Sequence, residues 1–240
     1  MRPVGIDLSK YDLSFNPKSA SLKADFVIQR VGYGGFWGTQ NKDERFDALL
    51  PGVMDVPVRG GYWYLSSHSN WKKQADYYLE KVAGIDYHFH CVDFESDYND
   101  LSVDFGAACV EWMRYVKDNS GKRVALYANR SHYDEFLAPD YRVKEFPLWI
   151  SSPVTADPQV TQPPMPKKRS DWTIWQYVWT VPDARLWGVG RPQSIDLNVW
   201  NGTIDDMLAF CGISDAPASL PTRDECIDDL LHKSGYNWTN

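Results

Sequence analysis

The sequence has no run of about 18 consecutive apolar residues, which is the length that a membrane-spanning helix requires. Its N-terminus carries neither a basic leader nor an apolar signal region. Basic residues are outnumbered, with 25 Lys and Arg against 32 Asp and Glu and a formal net charge of −7. Because phosphate binding needs a clustered excess of Lys and Arg, a nucleic-acid partner is not expected. We therefore expect a chain with no membrane contact, no signal peptide and no nucleic-acid ligand.

Cysteine is also scarce. The four cysteines among 240 residues show no CxxC spacing, and no pair of histidines has the spacing of metal ligands. A chain of this length with 43% hydrophobic residues can bury one substantial core without a disulfide framework, so reduced thiols are expected. The sequence therefore predicts no metal site and no cofactor.

Aromatic residues, by contrast, are abundant. They make up 15% of the chain and include 11 Trp and 14 Tyr. Many of them must lie in the core. Because sugar rings stack on the flat faces of Trp and Tyr, their number also favours a carbohydrate ligand.

Two acids lie at the end of an apolar segment that begins at Phe89. The segment is typical of a buried strand, and Asp93 and Glu95 follow each other at a spacing of two. Strand side chains alternate at about 3.3 Å per residue, so these two should face the same side about 6.6 Å apart. One of the two pKa values should then rise towards neutrality, as a general acid requires. The alternative is a pair of solvated acids at the mouth of a loop.

Hydrophobic periodicity predicts strands and helices in alternation, as in an α/β barrel. Helices are predicted at 45–54, 70–82, 102–117, 131–137 and 203–210, and a turn at 32–35. Eight strands are predicted, mostly parallel, at 4–9, 26–31, 56–65, 87–93, 123–128, 147–150, 173–177 and 194–199.

Four acids lie at or near the predicted strand ends. In a barrel of parallel strands the chemistry gathers at the carboxyl face, so acids from distant parts of the chain should meet there. They are Asp7, Asp93, Glu95 and Asp196.

The composition changes after residue 212. We predict a barrel domain at 1–212 and, at 213–240, a linker with a short C-terminal helix or tail. This last segment either packs on the barrel or begins the connection to another module, and the sequence leaves both open.

Seven short motifs together resemble one enzyme family. In order they are Gly5-Ile6-Asp7-Leu8-Ser9, Gly60-Gly61-Tyr62-Trp63-Tyr64, Asp93-Phe94-Glu95, Leu126-Tyr127-Ala128-Asn129, Leu148-Trp149-Ile150, Trp175-Gln176-Tyr177, and Ile195-Asp196-Leu197-Asn198-Val199-Trp200-Asn201-Gly202. Across residues 4–212 the chain resembles the glycoside hydrolase family 25 lysozymes, the muramidases that include many phage endolysins and bacterial autolysins. It departs from the commonest family pattern at Trp63, where many members carry His, and at Arg30-Val31-Gly32, where many carry a Lys-Ala-Thr type segment.

The resemblance implies a modified TIM-like barrel of five β/α units plus three further strands. It also implies hydrolysis of the β-1,4 bond between N-acetylmuramic acid and N-acetylglucosamine in peptidoglycan (EC 3.2.1.17). By position, Glu95 would be the general acid, and Asp93 would support it and the N-acetyl group of the reacting sugar. Asp7 and Asp196 would complete the acidic floor of the cleft.

Four other residues are candidates for the sugar-binding groove, although aromatic residues in barrel strands are about as often part of the core. They are Tyr62, Tyr127, Trp149 and Gln176. The spacing of Asp93 and Glu95 suits catalysis in which the acetamide of the substrate participates, which predicts retention of configuration.

The resemblance makes a peptidoglycan glycan strand the expected partner and the bacterial cell wall the expected place of action. We expect a monomer that a phage encodes and that is released by a holin or carried in the virion. An acidic enzyme gains no long-range attraction to anionic wall polymers, so it would benefit from a separate wall-binding module. Two alternatives remain: a glycan-binding or virion structural domain without turnover, and a chitin-type hydrolase on the same barrel.

Overall fold

A closed barrel of eight strands forms the centre of the molecule. The structure is a computed structural model and describes residues 1–95, 100–154, 156–179, 181, 183–190 and 195–214. The sheet order is β1-β9-β8-β7-β6-β5-β4-β2-β3, and pairing of β1 with β2 closes the barrel, with β3 outside it. The strands are β1 Val4–Leu8, β2 Phe26–Gly34, β3 Gln40–Lys42, β4 Val58–Tyr64, β5 Phe89–Asp93, β6 Arg123–Asn129, β7 Leu148–Ser151, β8 Ile174–Val178 and β9 Asp196–Trp200.

Most neighbouring strands of the barrel are parallel, and β9 is the exception. It runs antiparallel to both β1 and β8. The carboxyl ends of the parallel strands therefore share one rim of the barrel with the amino end of β9.

Within the described residues, five α-helices accompany the strands: α1 Phe46–Met54, α2 Trp71–Val82, α3 Val103–Ser120, α4 Arg130–His132 and α5 Ile204–Cys211. A π-helical turn continues α4. In α3 the Ser102 side chain accepts a hydrogen bond from the Phe105 amide at 3.1 Å, and Gly121 ends the helix with a φ of 68°. No helix in the described part of the chain is both long enough and apolar enough to cross a membrane.

Strand periodicity separates two apolar layers. On β5, Phe89 and Cys91 point into the barrel, whereas Val92 packs outside against the helices. His90 also faces outwards, where its Nδ1 lies 2.7 Å from the Tyr78 hydroxyl. Asp93 continues the inward row and reaches the rim.

At the far end of the barrel, α5 closes the interior. Its buried residues join the inner apolar cluster, which consists of Phe26, Ile28, Val58, Tyr62, Phe89, Cys91, Ala125, Tyr127, Trp149, Ile174, Trp200, Met207, Leu208 and Cys211. The barrel is thus filled at one end and polar at the other.

The predicted α/β barrel is confirmed, with all eight predicted strands and five predicted helices present. The prediction of a turn at 32–35 was wrong because β2 continues to Gly34 and pairs with the unpredicted β3. Gly32 permits this pairing, since a Cβ there would lie 2.2 Å from the Asn41 carbonyl oxygen.

One acid was assigned to the wrong end of its strand. Asp196 is the first residue of β9, not a residue at its carboxyl end. It still reaches the rim because β9 is antiparallel to its neighbours. The predicted linker and tail at 213–240 lie, from residue 215 onwards, outside the described residues.

Candidate active site

A cavity of about 370 Å³ opens at the rim where β1 and β5 end and β9 begins. Its size falls in the range of small-molecule clefts, roughly 300–1,000 Å³. We call it the acid cavity. Its lining includes all the predicted site residues, namely Asp7, Tyr62, Asp93, Glu95, Tyr127, Trp149, Gln176 and Asp196, together with Ser9, Lys10, Tyr11, Arg30, Tyr33 and Tyr64.

Asp7 and Asp196 are direct neighbours on β1 and β9. The Gln176 Nε2 donates to an Oδ2 of each, at 3.1 Å to Asp7 and 3.3 Å to Asp196. Burial raises the pKa of Asp7 to about 7, although hydrogen bonds from Asn198 and Gln176 oppose the rise. Burial, followed by the charge of Asp7, raises the pKa of Asp196 to about 9. Near neutral pH the pair therefore holds about one proton or more.

Hydrogen bonds to the oxygen of the Gln176 side-chain amide fix the orientation of the whole amide group. Its Oε1 accepts hydrogen bonds from the Tyr127 hydroxyl at 2.9 Å, from Ser151 Oγ at 3.1 Å and from Trp179 Nε1 at 3.1 Å. Since the oxygen is fully engaged by donors, the NH₂ group must face the acids. Gln176 is therefore a hydrogen-bond donor to the cavity floor.

Asp93 and Glu95 occupy the opposite side of the acid cavity. Asp93 is 5% exposed, and burial together with the charge of Glu95 raises its pKa well above the ordinary value. Glu95 is exposed to the cavity, but the surrounding walls reduce its hydration, and this raises its pKa too. For Glu95 a hydrogen bond with the Tyr127 side chain, followed by the positive charge of Arg30, opposes the rise in pKa. For Asp93 the positive charge of Arg30 opposes it, and the charge of Asp7 adds to it.

A second, larger cavity of about 870 Å³ adjoins the acid cavity. Among the described residues that line the two, Glu95 is the one they share. The other residues that line the larger cavity are Asn129, Arg130, Ser131, Asp134, Glu135, Ser151, Ser152, Pro153, Lys167, Lys168 and Trp179.

The three predicted aromatic residues pack against one another and also line the acid cavity. Trp149 makes edge contacts with Tyr127 and Tyr62, at ring-centroid distances of 4.7 Å and 6.1 Å, and all three are buried. More open ring faces belong to aromatic residues that the sequence did not single out. They are Tyr11, Tyr33 and Tyr64 in the acid cavity and Trp179 in the larger one.

Asn198 is another missed residue. It is buried, accepts a hydrogen bond from Trp149 Nε1 at 2.7 Å, and donates one to Asp7 Oδ2 at 2.8 Å. The signal for it was available, because a residue two positions after Asp196 must share its face of β9.

The two departures from the family pattern differ in position. Trp63 faces away from the acid cavity, is fully buried, and donates to Gln74 Oε1 at 3.1 Å. Arg30 lines the acid cavity and acts electrostatically on Asp93 and Glu95. Of the two departures, Arg30 is therefore the one that bears on the acids.

Comparison with known proteins gives relatives and a family. The uncharacterised protein YegX of Escherichia coli K12 is 26% identical over 162 residues, which cover 67% of this chain and 54% of YegX. This chain thus spans about half the length of the curated relatives that it matches.

Two solved structures share the fold. A family 25 glycosyl hydrolase from Bacillus anthracis has a TM-score of 0.70 at 20% identity and covers 87% of this chain and 93% of its own. The catalytic domain of endolysin ply40 from bacteriophage P40 of Listeria monocytogenes has a TM-score of 0.67 at 23% identity, with coverages of 88% and 98%.

A family match extends over more than half of the sequence. Residues 6–183 match the family described as glycosyl hydrolases family 25. They span the rim from β1 to β8, with three of the four acids and Gln176. The chain belongs to glycosyl hydrolases family 25.

Proposed function

We propose that this chain is an N-acetylmuramidase, a lysozyme that hydrolyses the β-1,4 bond between N-acetylmuramic acid and N-acetylglucosamine in peptidoglycan. Family membership supports a glycoside hydrolase. The similarity of the fold to an enzyme named an endolysin supports the bacterial cell wall as the place of action.

The proposal rests chiefly on one geometric feature, which is that Glu95 lines both cavities. A glycoside hydrolase must protonate the oxygen between the sugar that reacts and the sugar that leaves. A carboxyl group at the junction of two cavities is suited to this task, because a glycan strand that fills both would carry one of its glycosidic oxygens past Glu95. Its raised pKa favours the protonated form that a general acid needs.

The reaction that we propose begins with proton transfer. Glu95 donates its proton to the glycosidic oxygen as the bond from that oxygen to C1 breaks. The carbonyl oxygen of the substrate acetamide attacks C1, and the Asp93 carboxylate accepts a hydrogen bond from the acetamide N–H. The product of this step is a cyclic oxazolinium ion, and the leaving sugar departs with a free 4-hydroxyl group.

In the second half, the Glu95 carboxylate removes a proton from a water molecule. The oxygen of that water attacks C1 from the face that the leaving sugar occupied, which reopens the ring and restores the acetamide. Configuration is therefore retained. Asp7 and Asp196 contribute negative charge to the floor beneath the cationic intermediate, to the extent that they are ionised.

Digestion of purified peptidoglycan tests the proposal directly. Borohydride reduction of the digest followed by mass spectrometry identifies the sugar that carries each new reducing end. We expect muramitol at these ends from the unchanged enzyme and none from E95Q. The matched control is E80Q, the same substitution at an exposed position of α2. N-acetylglucosaminitol ends would contradict the proposal.

Chitin oligomers form a second arm of the same experiment. Faster release of reducing ends from chitin than from peptidoglycan would favour the chitin-type alternative. Absence of turnover on both, with retained binding to the cell wall, would favour a non-catalytic domain. NMR of the anomeric proton early in the reaction tests the mechanism, because an α-anomer as first product would exclude acetamide participation.

The remaining proposals concern context. We propose that the barrel domain comprises residues 1–212 and that the chain acts as a monomer on peptidoglycan. We further propose that it is phage-encoded, released by a holin or carried in the virion, and that a wall-binding module assists it. Light scattering tests the monomeric state, and binding of the protein to purified cell walls tests the need for a wall-binding module.

A further inference from the structure

We propose that Arg30, held in place by Asp43, is a positioning residue that sets the protonation of the two acids on the Asp93 side of the acid cavity. The sequence departs from the common family pattern at Arg30, and Asp43 was not singled out at all. The effect of Arg30 on turnover rests on the proposed function, whereas its effect on the pKa values of Asp93 and Glu95 does not.

Asp43 is a rigid anchor. Its side chain is 1% exposed. Its Oδ2 accepts hydrogen bonds from the Lys10 amide at 3.0 Å and from Arg30 Nε at 2.5 Å, and its Oδ1 accepts from the Arg45 amide at 2.8 Å. Its own amide donates to the Val31 carbonyl at 2.9 Å. Backbone groups therefore fix this carboxylate before it binds the guanidinium.

Arg30 extends the inward row of β2 that begins with Phe26 and Ile28. Its side chain is 11% exposed, and its guanidinium carbon lies 5.7 Å and 5.8 Å from the ring centroids of Tyr11 and Tyr33. The ion pair and the two rings hold the group against one wall of the cavity.

Two buried polar atoms point to what the guanidinium does there. Among the described residues, Arg30 Nη2 and Asp93 Oδ1 each lack a hydrogen-bond partner. One is a cationic donor and the other is an anionic acceptor, and their residues line the same cavity. A buried carboxylate oxygen without a hydrogen bond makes the ionised form of Asp93 costly, and the nearby positive charge of Arg30 reduces that cost.

The charges around Arg30 can be assigned element by element. Asp93 at the end of β5 and Glu95 just after it face Arg30, which lowers their pKa values, and Asp43 faces it from the β3–α1 connection. The Tyr62 hydroxyl faces it from β4. Lys10 also lines the acid cavity, and its Nζ lies over Tyr33 and 3.9 Å from Glu44. Glu44 also accepts a hydrogen bond from the Tyr33 hydroxyl at 2.9 Å.

The fork of an arginine matters for this arrangement. Arg30 Nε binds Asp43, so the two Nη groups remain for the cavity side. A lysine has one compact ammonium group, so it cannot bind Asp43 and at the same time present a second, fixed donor towards Asp93. We therefore expect R30K to keep the charge but to lose much of the positioning.

The first experiment measures the two acids without any substrate. Carboxyl carbon NMR titrations of Asp93 and Glu95 are recorded for the unchanged protein, R30Q and R30K. We expect R30Q to raise both pKa values, because a positive charge that stabilises both carboxylates is lost. R30K should bring them back towards the original values.

The control is R59Q on β4. Arg59 also pairs with an aspartate, Asp86, at 2.5 Å, and its side chain is 13% exposed, close to the exposure of Arg30. Its pair lies near the amino end of β4, away from the acid cavity. R59Q should therefore leave both titrations unchanged, even if it lowers the melting temperature as much as R30Q.

The second experiment measures kcat/KM against pH on peptidoglycan fragments. Because the charge of Glu95 acts on Asp93, the two limbs report two apparent pKa values that belong to the pair of acids. Because both pKa values rise in R30Q, both limbs should move to higher pH. The double variant D43N/R30Q is then compared with D43N. Because Asp43 no longer holds Arg30 in D43N, this second removal of Arg30 should shift the limbs less than R30Q shifts them in the unchanged protein.

Unchanged titrations of Asp93 and Glu95 in a folded R30Q protein would overturn the proposal. Equal shifts on removing Arg30 with and without Asp43 would remove Asp43 from it. If the unchanged protein does not cleave peptidoglycan, the proposed function fails, but the NMR titration still decides the role of Arg30. Should D43N fail to fold, the comparison of R30Q with R30K remains decisive.

Discussion

The two ends of the barrel interior are built from the same eight strands but differ in almost every physical property. At the far end, Phe26 and Phe89 both pack against Trp200, and α5 closes the opening with Met207 and Leu208. At the rim, the same inward rows end in carboxyl, amide, hydroxyl and guanidinium groups. The closed end gains stability from apolar burial. The open end loses stability because it keeps acids partly dehydrated, and it is there that we place the chemistry.

The largest expected effect of a change at the rim is on activity. E95Q keeps the shape of the side chain but removes the proton that must be transferred, so activity on peptidoglycan should fall by roughly 10²–10⁴-fold. Its melting temperature should not fall, because the substitution also removes a partly dehydrated acid. Turbidity loss of cell-wall suspensions and calorimetry measure the two quantities. Activity within a few fold of the unchanged enzyme would remove Glu95 from the mechanism.

A change at the closed end should have the opposite profile. L208A deletes a buried side chain of α5, and such substitutions cost about 2–5 kcal/mol of unfolding free energy. Its KM and pH profile should remain those of the unchanged enzyme, since the acid cavity lies at the other end. L13A is the control, the same substitution at a residue that is 52% exposed, and it should change little. Equal denaturation midpoints for the two variants would show that α5 does not close the core.

D196N tests the cost of the acids at the rim. The pKa of Asp196 in the folded protein is about 9, far above its ordinary value, so the folded state binds more protons than the unfolded state at neutral pH. By linkage the stability of the unchanged protein falls as pH rises from about 4 towards 9. D196N removes this loss, so its melting temperature should be higher at pH 8, by about 2–4 °C for each kcal/mol gained. The difference should vanish near pH 4, and a lower melting temperature at pH 8 would contradict the assignment.

How much of this contrast the sequence predicts can be traced residue by residue. Asp93 and Glu95 were recognisable because a spacing of two on a strand is local information. Asn198 was recognisable in the same way, by its distance from Asp196, but was overlooked. The direction of β9 was not recognisable, because an antiparallel strand has the same side-chain period as a parallel one. The role of Arg30 could not be predicted either, because its pairing with Asp43 depends on the unpredicted hairpin of β2 and β3.

The smallest expected effect concerns an acid near the closed end, and its sign is opposite to that of Asp196. Asp206 lies in the first turn of α5, where its Oδ2 accepts hydrogen bonds from the Thr203 amide and hydroxyl, each at 2.7 Å. These bonds lower the pKa of Asp206, so its ionised form stabilises the fold above its ordinary pKa and this contribution is lost on acidification. D206N should therefore slightly lower the melting temperature at pH 8, and this effect should diminish as the pH falls through the lowered pKa of Asp206. A double variant with D196N should show the two effects as independent shifts of opposite sign at pH 8, because one acid caps a helix and the other pairs with Asp7 at the rim. If D206N instead raised the melting temperature at pH 8, as D196N should, the contrast between a carboxylate bound by donors and a carboxylate dehydrated by burial would not account for the pH dependence of this protein.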